Sequence, residues 1–122
     1  MLLDTNIVIY ACKTGGEWLG SWTNAPEAAI ASVTRIEALG YAGISGEEDS
    51  AIRGVISTNL NYPLDDEIIE RAILLRQQKK MGLGDAIIAA TALEYDLPLV
   101  TRNEDDFKHI AGLKIINPFA SL

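Results

Sequence analysis

Cysteine and histidine each occur once in the 122 residues, as Cys12 and His109. The chain can therefore form no internal disulfide and no cysteine-rich zinc site. Long apolar runs are also missing. Stretches such as Ala86-Ile87-Ile88-Ala89-Ala90 stop far short of the ~20 residues that a membrane-spanning helix needs. Asp4 interrupts the first residues, so no basic start followed by an apolar stretch marks a secretory leader. These absences make the chain read as cytoplasmic, with no membrane partner. Four Pro and ten Gly exclude a fibrous or disordered chain. Positive charge is scarce: ten Lys and Arg stand against seventeen Asp and Glu, for a net charge of -7. Such a chain binds nucleic acid poorly by charge alone, so any action on phosphates requires positive charge supplied locally. What is plentiful is apolar sequence, 48% of the residues. That suits one domain over residues 1–122 with a real core.

Periodicity and breaks along the chain predict strands alternating with helices. Residues 1–4 are a very short buried strand ending in an acid, and residues 5–13 a helix stopped by Gly15-Gly16. Residues 17–22 make a further helical turn or two, with Trp18 and Trp22 on one face. The second strand is expected at residues 28–33, followed by helices at 34–44 and 47–60 and an extended piece at 62–64. Asp65 opens a helix running to residue 80, acids first and bases last, as the helix dipole favours. Ile68, Ile69, Ala72, Ile73 and Leu75 give that helix one broad apolar face. Gly82-Leu83-Gly84 breaks it. Residues 85–95 form a helix apolar almost all round, hence buried. A strand at 97–101, a short helix at 103–110 and a strand at 113–116 complete an α/β fold with a mainly parallel sheet.

In such a sheet, ligands gather where strands end and helices begin. The acids and amides fall at those junctions: Asp4-Thr5-Asn6, then Thr34 with Glu37 one turn on, then Gly84-Asp85, then Thr101-Arg102-Asn103 with Glu104, Asp105 and Asp106. Each has a plain capping role open to it. Asp4 can cap the first helix, Thr34 and Glu37 fit a capping box, and Asp85 complements a helix dipole. Taken together, these roles do not account for two acids beside strongly apolar segments. Carboxylates about 4 Å apart repel by roughly 4 kcal/mol at an effective dielectric of 20. Either one takes up a proton or a cation lies between them, and Mg²⁺ or Mn²⁺ prefers oxygen ligands of this kind. An all-carboxylate site without a nucleophilic side chain points to metal-assisted hydrolysis of a phosphodiester.

These residues resemble the PIN-domain ribonucleases, especially the VapC-type toxins of toxin–antitoxin pairs. Leu2-Leu3-Asp4-Thr5-Asn6-Ile7 is similar to the opening motif of the family, and Thr34-Arg35-Ile36-Glu37-Ala38-Leu39 to its second. Gly84-Asp85-Ala86-Ile87-Ile88-Ala89-Ala90-Thr91-Ala92 resembles the third, and Leu99-Val100-Thr101-Arg102-Asn103 with Asp105-Asp106-Phe107 the fourth. The match runs in order from residue 2 to Pro118. It implies a PIN-like three-layer fold, with a mainly parallel central sheet of four to five short strands flanked by helices. It also implies a Mg²⁺- or Mn²⁺-dependent endoribonuclease, and a homodimer held inactive by a cognate antitoxin. By position, Asp4 and Asp85 would be direct metal ligands, and Glu37 would bind metal or position the attacking water. Thr5 or Asn6 and Thr101 would orient ligands or phosphate. The family often has Asp where this chain has Asn103, an amide without charge. Asn103 as a helix cap would bring Asp106, three residues on, back toward the sheet edge, so that the two together replace the missing acid; the alternative is that Asp106 only stabilises the helix start.

Arg35 and Arg102, beside motif acids, are phosphate-binding candidates or salt-bridge partners. Arg76-Gln77-Gln78-Lys79-Lys80 is a solvated helix end or an RNA-backbone contact. Trp18 and Trp22 pack in the core or face a second subunit or antitoxin. His109, outside the motifs, is expected at the surface. Gly82-Leu83-Gly84 lacks the preceding strand and the third glycine of a dinucleotide loop, and there is no phosphate-binding P-loop. A PIN-like binding module acting through a protein partner is the alternative function. A phospho-acceptor receiver domain would need adjacent acids after the first strand, and Asp4 stands alone.

Overall fold

The computed structural model describes residues 1–121. Five strands form one parallel sheet in the order β3-β2-β1-β4-β5: β1 (Leu2–Leu3), β2 (Ala29–Ala31), β3 (Leu60–Tyr62), β4 (Leu99–Val100) and β5 (Ile115–Ile116). Six helices flank it: α1 (Thr5–Ala11), α2 (Gly20–Thr23), α3 (Ser32–Leu39), α4 (Gly46–Ser57), α5 (Asp66–Gln78) and α6 (Leu83–Glu94). The connections run outward from β1 through β2 to β3, then return to β4 and β5. The strand order thus reverses between β1 and β4, opening a crevice at their carboxyl ends.

The two-residue period of the strands divides the core. Leu2, Ala29, Ala31 and Leu99 face one cluster, with Ile68, Ala72 and Leu75 of α5 and the buried α6. Leu3, Ile30 and Val100 face the other, with Ile7 and Val8 of α1 and Ile52 of α4. The result is the expected three-layer α/β arrangement.

Caps explain the helices that the sequence marks best. Ser45 accepts from the Glu48 N–H at 3.1 Å at the head of α4, and Asp65 from the Ile68 N–H at 2.9 Å at the head of α5. Helix α6 ends in a Schellman turn, Leu97 N–H to Ala92 C=O at 2.8 Å and Asp96 N–H to Leu93 C=O at 3.3 Å, with Asp96 in the left-handed region at φ 52°.

Several expectations fail. The second strand stops at Ala31, and α3 begins at Ser32 with Ala31 as its cap residue. Thr34 is therefore inside the helix and no capping box exists. Helix α3 also ends early, at Leu39. Helix α4 stops at Ser57, where Thr58 Oγ1 and Asn59 Nδ2 both bond the Val55 carbonyl, and Leu60 belongs to the edge strand β3. The helix expected at 103–110 is a single 3-10 turn, Glu104–Asp106. Helix α5 ends at Gln78, ahead of Gly82-Leu83-Gly84, and α6 begins at Leu83, two residues before Asp85, with Gly82 as its cap residue and Gly84 in its first turn. The broad apolar face of α5 is split: Ile68, Ala72 and Leu75 are buried, but Ile69 and Ile73 are 40% and 44% exposed.

Candidate active site

Asp4 stands at the end of the central strand, at the crevice where the strand order reverses, and caps α1. Its Oδ1 accepts from the Thr5 N–H at 2.8 Å, and its Oδ2 from Thr101 Oγ1 at 2.8 Å, across from β4. Only 4% of Asp4 is exposed. Thr101 Oγ1 in turn accepts from the Asn103 N–H at 3.0 Å. Thr5 Oγ1 donates to Glu37 Oε1 at 2.8 Å and lies 3.0 Å from the buried Thr34 hydroxyl. The Glu37 carboxylate rests against Gly84, so closely that a Cβ on Gly84 would collide with it. Asp85 is the next residue. Four junctions from distant parts of the chain thus meet through threonine hydroxyls and one glycine.

Burial first, then Asp4, Asp106 and Glu37, push the Asp85 carboxyl up to about 6. The Asp4 carboxyl is also raised by burial, against the pull of its bonds from Thr101 and Thr5, with Glu37 and Asp106 adding to the rise. Asp106, exposed on the 3-10 turn, therefore shares the field of Asp4 and Asp85, whereas Asp105 faces solvent and pairs with Lys108 at 2.9 Å. Among the described residues the other ion pairs are Arg53–Asp49 and Arg71–Glu94, so no basic side chain neutralises the site acids.

The structure departs from the sequence reading at several residues. Asn103 makes no side-chain cap bond, and its N–H goes to Thr101 and not to Asp106. A 3-10 turn replaces the helix, and the fold-back of a capping box has no helix to start. Arg35 lines a shallow depression with Leu39, Arg53 and Ser57 instead of standing among the acids. Arg102 lies over the Phe119 ring. Neither arginine has a carboxylate partner among the described residues. Asn6 is half-buried on the first turn of α1. His109 is not a free surface group, because both its ring nitrogens are buried without a hydrogen-bond partner among the described residues. Trp18 and Trp22 do not share a face: Trp18 packs edge-on to Phe119, and Trp22 joins the core. Thr34 is bonded to the Thr5 hydroxyl that holds Glu37, and Gly84 leaves room for the carboxylate, roles that a cap or a helix break does not foretell. The signal available for Gly84 was its place directly before an acid at a helix start.

The donors gathered here are carboxylate and hydroxyl oxygens, the set a hard divalent cation takes. Among the described residues no three acidic, His or Cys side chains stand close enough to form a ready-made metal cage.

A family model described as the PIN domain matches residues 1–113. The chain belongs to the PIN domain family. This PIN domain is 29% identical to the ribonuclease VapC of Rickettsia bellii over 129 aligned positions, covering 95% of the chain and 94% of that protein. A toxin–antitoxin complex from Klebsiella pneumoniae contains a chain of the same fold, with a TM-score of 0.76, 35% identity and 96% of each chain covered. The DNA-bound VapBC of Salmonella typhimurium gives a TM-score of 0.79 at 26% identity, over 95% of this chain and 96% of that one.

Proposed function

We infer that this PIN domain is a ribonuclease, the toxin member of a VapBC-type toxin–antitoxin pair, and that it hydrolyses internal phosphodiester bonds of RNA in the cytoplasm. The observation that carries the reading is the linking of the Asp4, Glu37 and Asp85 junctions at one sheet edge, through the Thr5 and Thr101 hydroxyls and the packing of Glu37 on Gly84, with no basic group paired to these acids among the described residues. In this reading the repulsion is relieved by Mg²⁺ or Mn²⁺, held by Asp4 and Asp85 with Glu37. The cation, when bound, lowers the pKa of a water and neutralises charge on the phosphoryl group.

The protein's own contributions are positional. The Thr5 N–H and Thr101 hydroxyl fix both oxygens of Asp4. Thr5 Oγ1 holds one oxygen of Glu37, leaving the other to orient the attacking water. Asn103 and Asp106 close the fourth corner, with Asp106 acting through a bound water. Thr5 and Thr101, both buried, thus orient ligand carboxylates rather than substrate; Asn6 is left to meet substrate oxygens, and Arg102 meets the RNA. A cognate antitoxin restrains the enzyme, and the working unit is a homodimer.

The test is cleavage of single-stranded RNA by the purified chain. Internal cuts with Mg²⁺ or Mn²⁺, stopped by excess EDTA, are expected. Cutting undiminished in EDTA would sink the metal-dependent reading. A PIN-like binding module with weak catalysis is the second reading, favoured by the uncharged Asn103. It requires tight antitoxin binding with no cleavage at saturating Mg²⁺.

A further inference from the structure

Arg102 lies between Thr101, which bonds Asp4, and Asn103, whose N–H bonds Thr101. Its guanidinium does not turn to the nearby acids. It lies 4.4 Å from the centre of the Phe119 ring and 5.6 Å from that of Tyr10. Phe119 is itself held edge-on by Tyr10, at 5.7 Å between ring centres, and by Trp18, at 5.0 Å. Asn117 fixes the arrangement. Its Oδ1 accepts from the Phe119 N–H at 2.9 Å, and its Nδ2 donates to Glu104 Oε2 at 2.9 Å. The C-terminal turn is thereby tied to the loop that carries Arg102. Beside these rings a concavity of about 170 Å³ opens, with Lys13 on its rim.

We propose that Arg102 and the Tyr10, Trp18 and Phe119 rings form a subsite for one unpaired base of the RNA strand, next to the scissile phosphate. The proposal rests on the ribonuclease reading and deepens it. Unstacked bases bind on aromatic faces and on guanidinium planes, and stacking tolerates any base because every base has a π-face. The concavity is well below the roughly 300–1,000 Å³ of a site for a whole drug-sized ligand, and suits a single flat ring system. Trp18 remains 37% exposed. Charge points to the same occupant. The acids of the site repel an RNA strand, and Arg102, one residue from the Thr101 that bonds Asp4, carries positive charge with no carboxylate within ion-pair distance among the described residues, while Lys13 adds a second charge at the concavity. A guanidinium already held over a ring can present its N–H fork to a phosphate at a lower ordering cost.

The test uses the full chain carrying Asp4→Asn, in EDTA, so that RNA is bound but not cut. A single-stranded ribo-oligonucleotide should quench tryptophan emission, and the same sugar-phosphate backbone lacking all bases should bind at least tenfold more weakly. Tenfold is ~1.4 kcal/mol, within the range of one base–aromatic stack. Trp18→Ala and Arg102→Ala should each weaken binding about tenfold. Trp18→Phe should keep affinity within about twofold while removing the emission change. The base-free backbone needs no variant, so it decides the question even if a substitution unfolds the chain. Equal binding of the two oligonucleotides overturns the proposal, and leaves the rings to the fold or to an apolar side chain of a protein partner. Cleavage by the unmodified chain is scored separately. Cleavage without base discrimination overturns the subsite alone. Base discrimination without cleavage overturns the ribonuclease reading alone.

Discussion

Asp85 is the site residue whose titration is most displaced, and the sign of its effect on stability follows from the direction. Its folded-state pKa, about 6, lies above the ordinary 3.8. Between those values the folded chain holds more protons than the unfolded one, so this group's contribution to stability falls as pH rises from about 4 to 6 and does not recover above. In EDTA at pH 7.5, Asp85→Asn should therefore melt higher than the unmodified chain, by about 2–6 °C, the scale of ~1 kcal/mol once solvent screening of a half-exposed group is allowed for. At pH 4 the two should melt together. Saturating Mg²⁺ should raise the melting temperature of the unmodified chain more at pH 7.5 than at pH 5, because the cation binds the ionised form. Thermal melts over this pH range check all three. A variant that melts lower than the unmodified chain at pH 7.5 would mean that Asp85 is a structural cap and not a strained ligand. Asp4→Asn should fold normally: the amide oxygen can keep the Thr5 N–H, and the amide N–H₂ can donate to Thr101 Oγ1.

The helices show what short segments of sequence carry and what they do not. The starts of α4 and α5 were legible because Ser45 and Asp65 cap them with their own side chains and acids fill the first turns. The start of α3 was not, because Ala31 has no capping side chain and the chain turns from strand to helix under tertiary packing alone. Glu104, Asp105 and Asp106 look like a first helical turn, yet the chain makes only a 3-10 turn before Phe107 enters the core, fully buried. Asp4, Glu37 and Asp85 were readable as a set from their places at successive junctions. The means of their meeting was not, since the Thr5–Glu37 bond spans 32 residues and the Thr101–Asp4 bond 97. At the head of α6, Gly84 has a specific duty. Gly→Ala inside a helix ordinarily gains up to ~1 kcal/mol, and here loss of the Thr5–Glu37 bond opposes that gain. Gly84→Ala should therefore change the melting temperature little, but cut RNA cleavage at least about tenfold, ~1.4 kcal/mol of barrier, by displacing the Glu37 carboxylate. Cleavage at the unmodified rate in Gly84→Ala would remove Glu37 from the site.

On the scale of the whole molecule, two surfaces bear on catalysis and assembly. One is the acid-lined crevice between β1 and β4. The other is an apolar groove of about 440 Å³ on α5 and α6, lined by Leu64, Ile69, Ile73, Leu83 and Ile87. Leu83 is 62% exposed and Leu64 47%, which is costly for a chain that works alone. This groove, and not the tryptophans, is the physical support for a homodimer. Light scattering at tens of micromolar should give twice the 13.2 kDa chain mass, and Ile73→Lys with Leu83→Lys should give the monomer. A monomeric unmodified chain would contradict the assembly.

The claim on which the mechanism stands is that the carboxylates at the reversal point of the sheet hold a divalent cation together. Calorimetric titration of Mn²⁺ into the purified chain at pH 7.5 tests this directly, alongside Asp4→Asn and Asp85→Asn. One equivalent should bind to the unmodified chain, with affinity at least about tenfold lower, ~1.4 kcal/mol, in each variant. Binding of equal strength in all three proteins, or no binding to the unmodified chain, would contradict the claim.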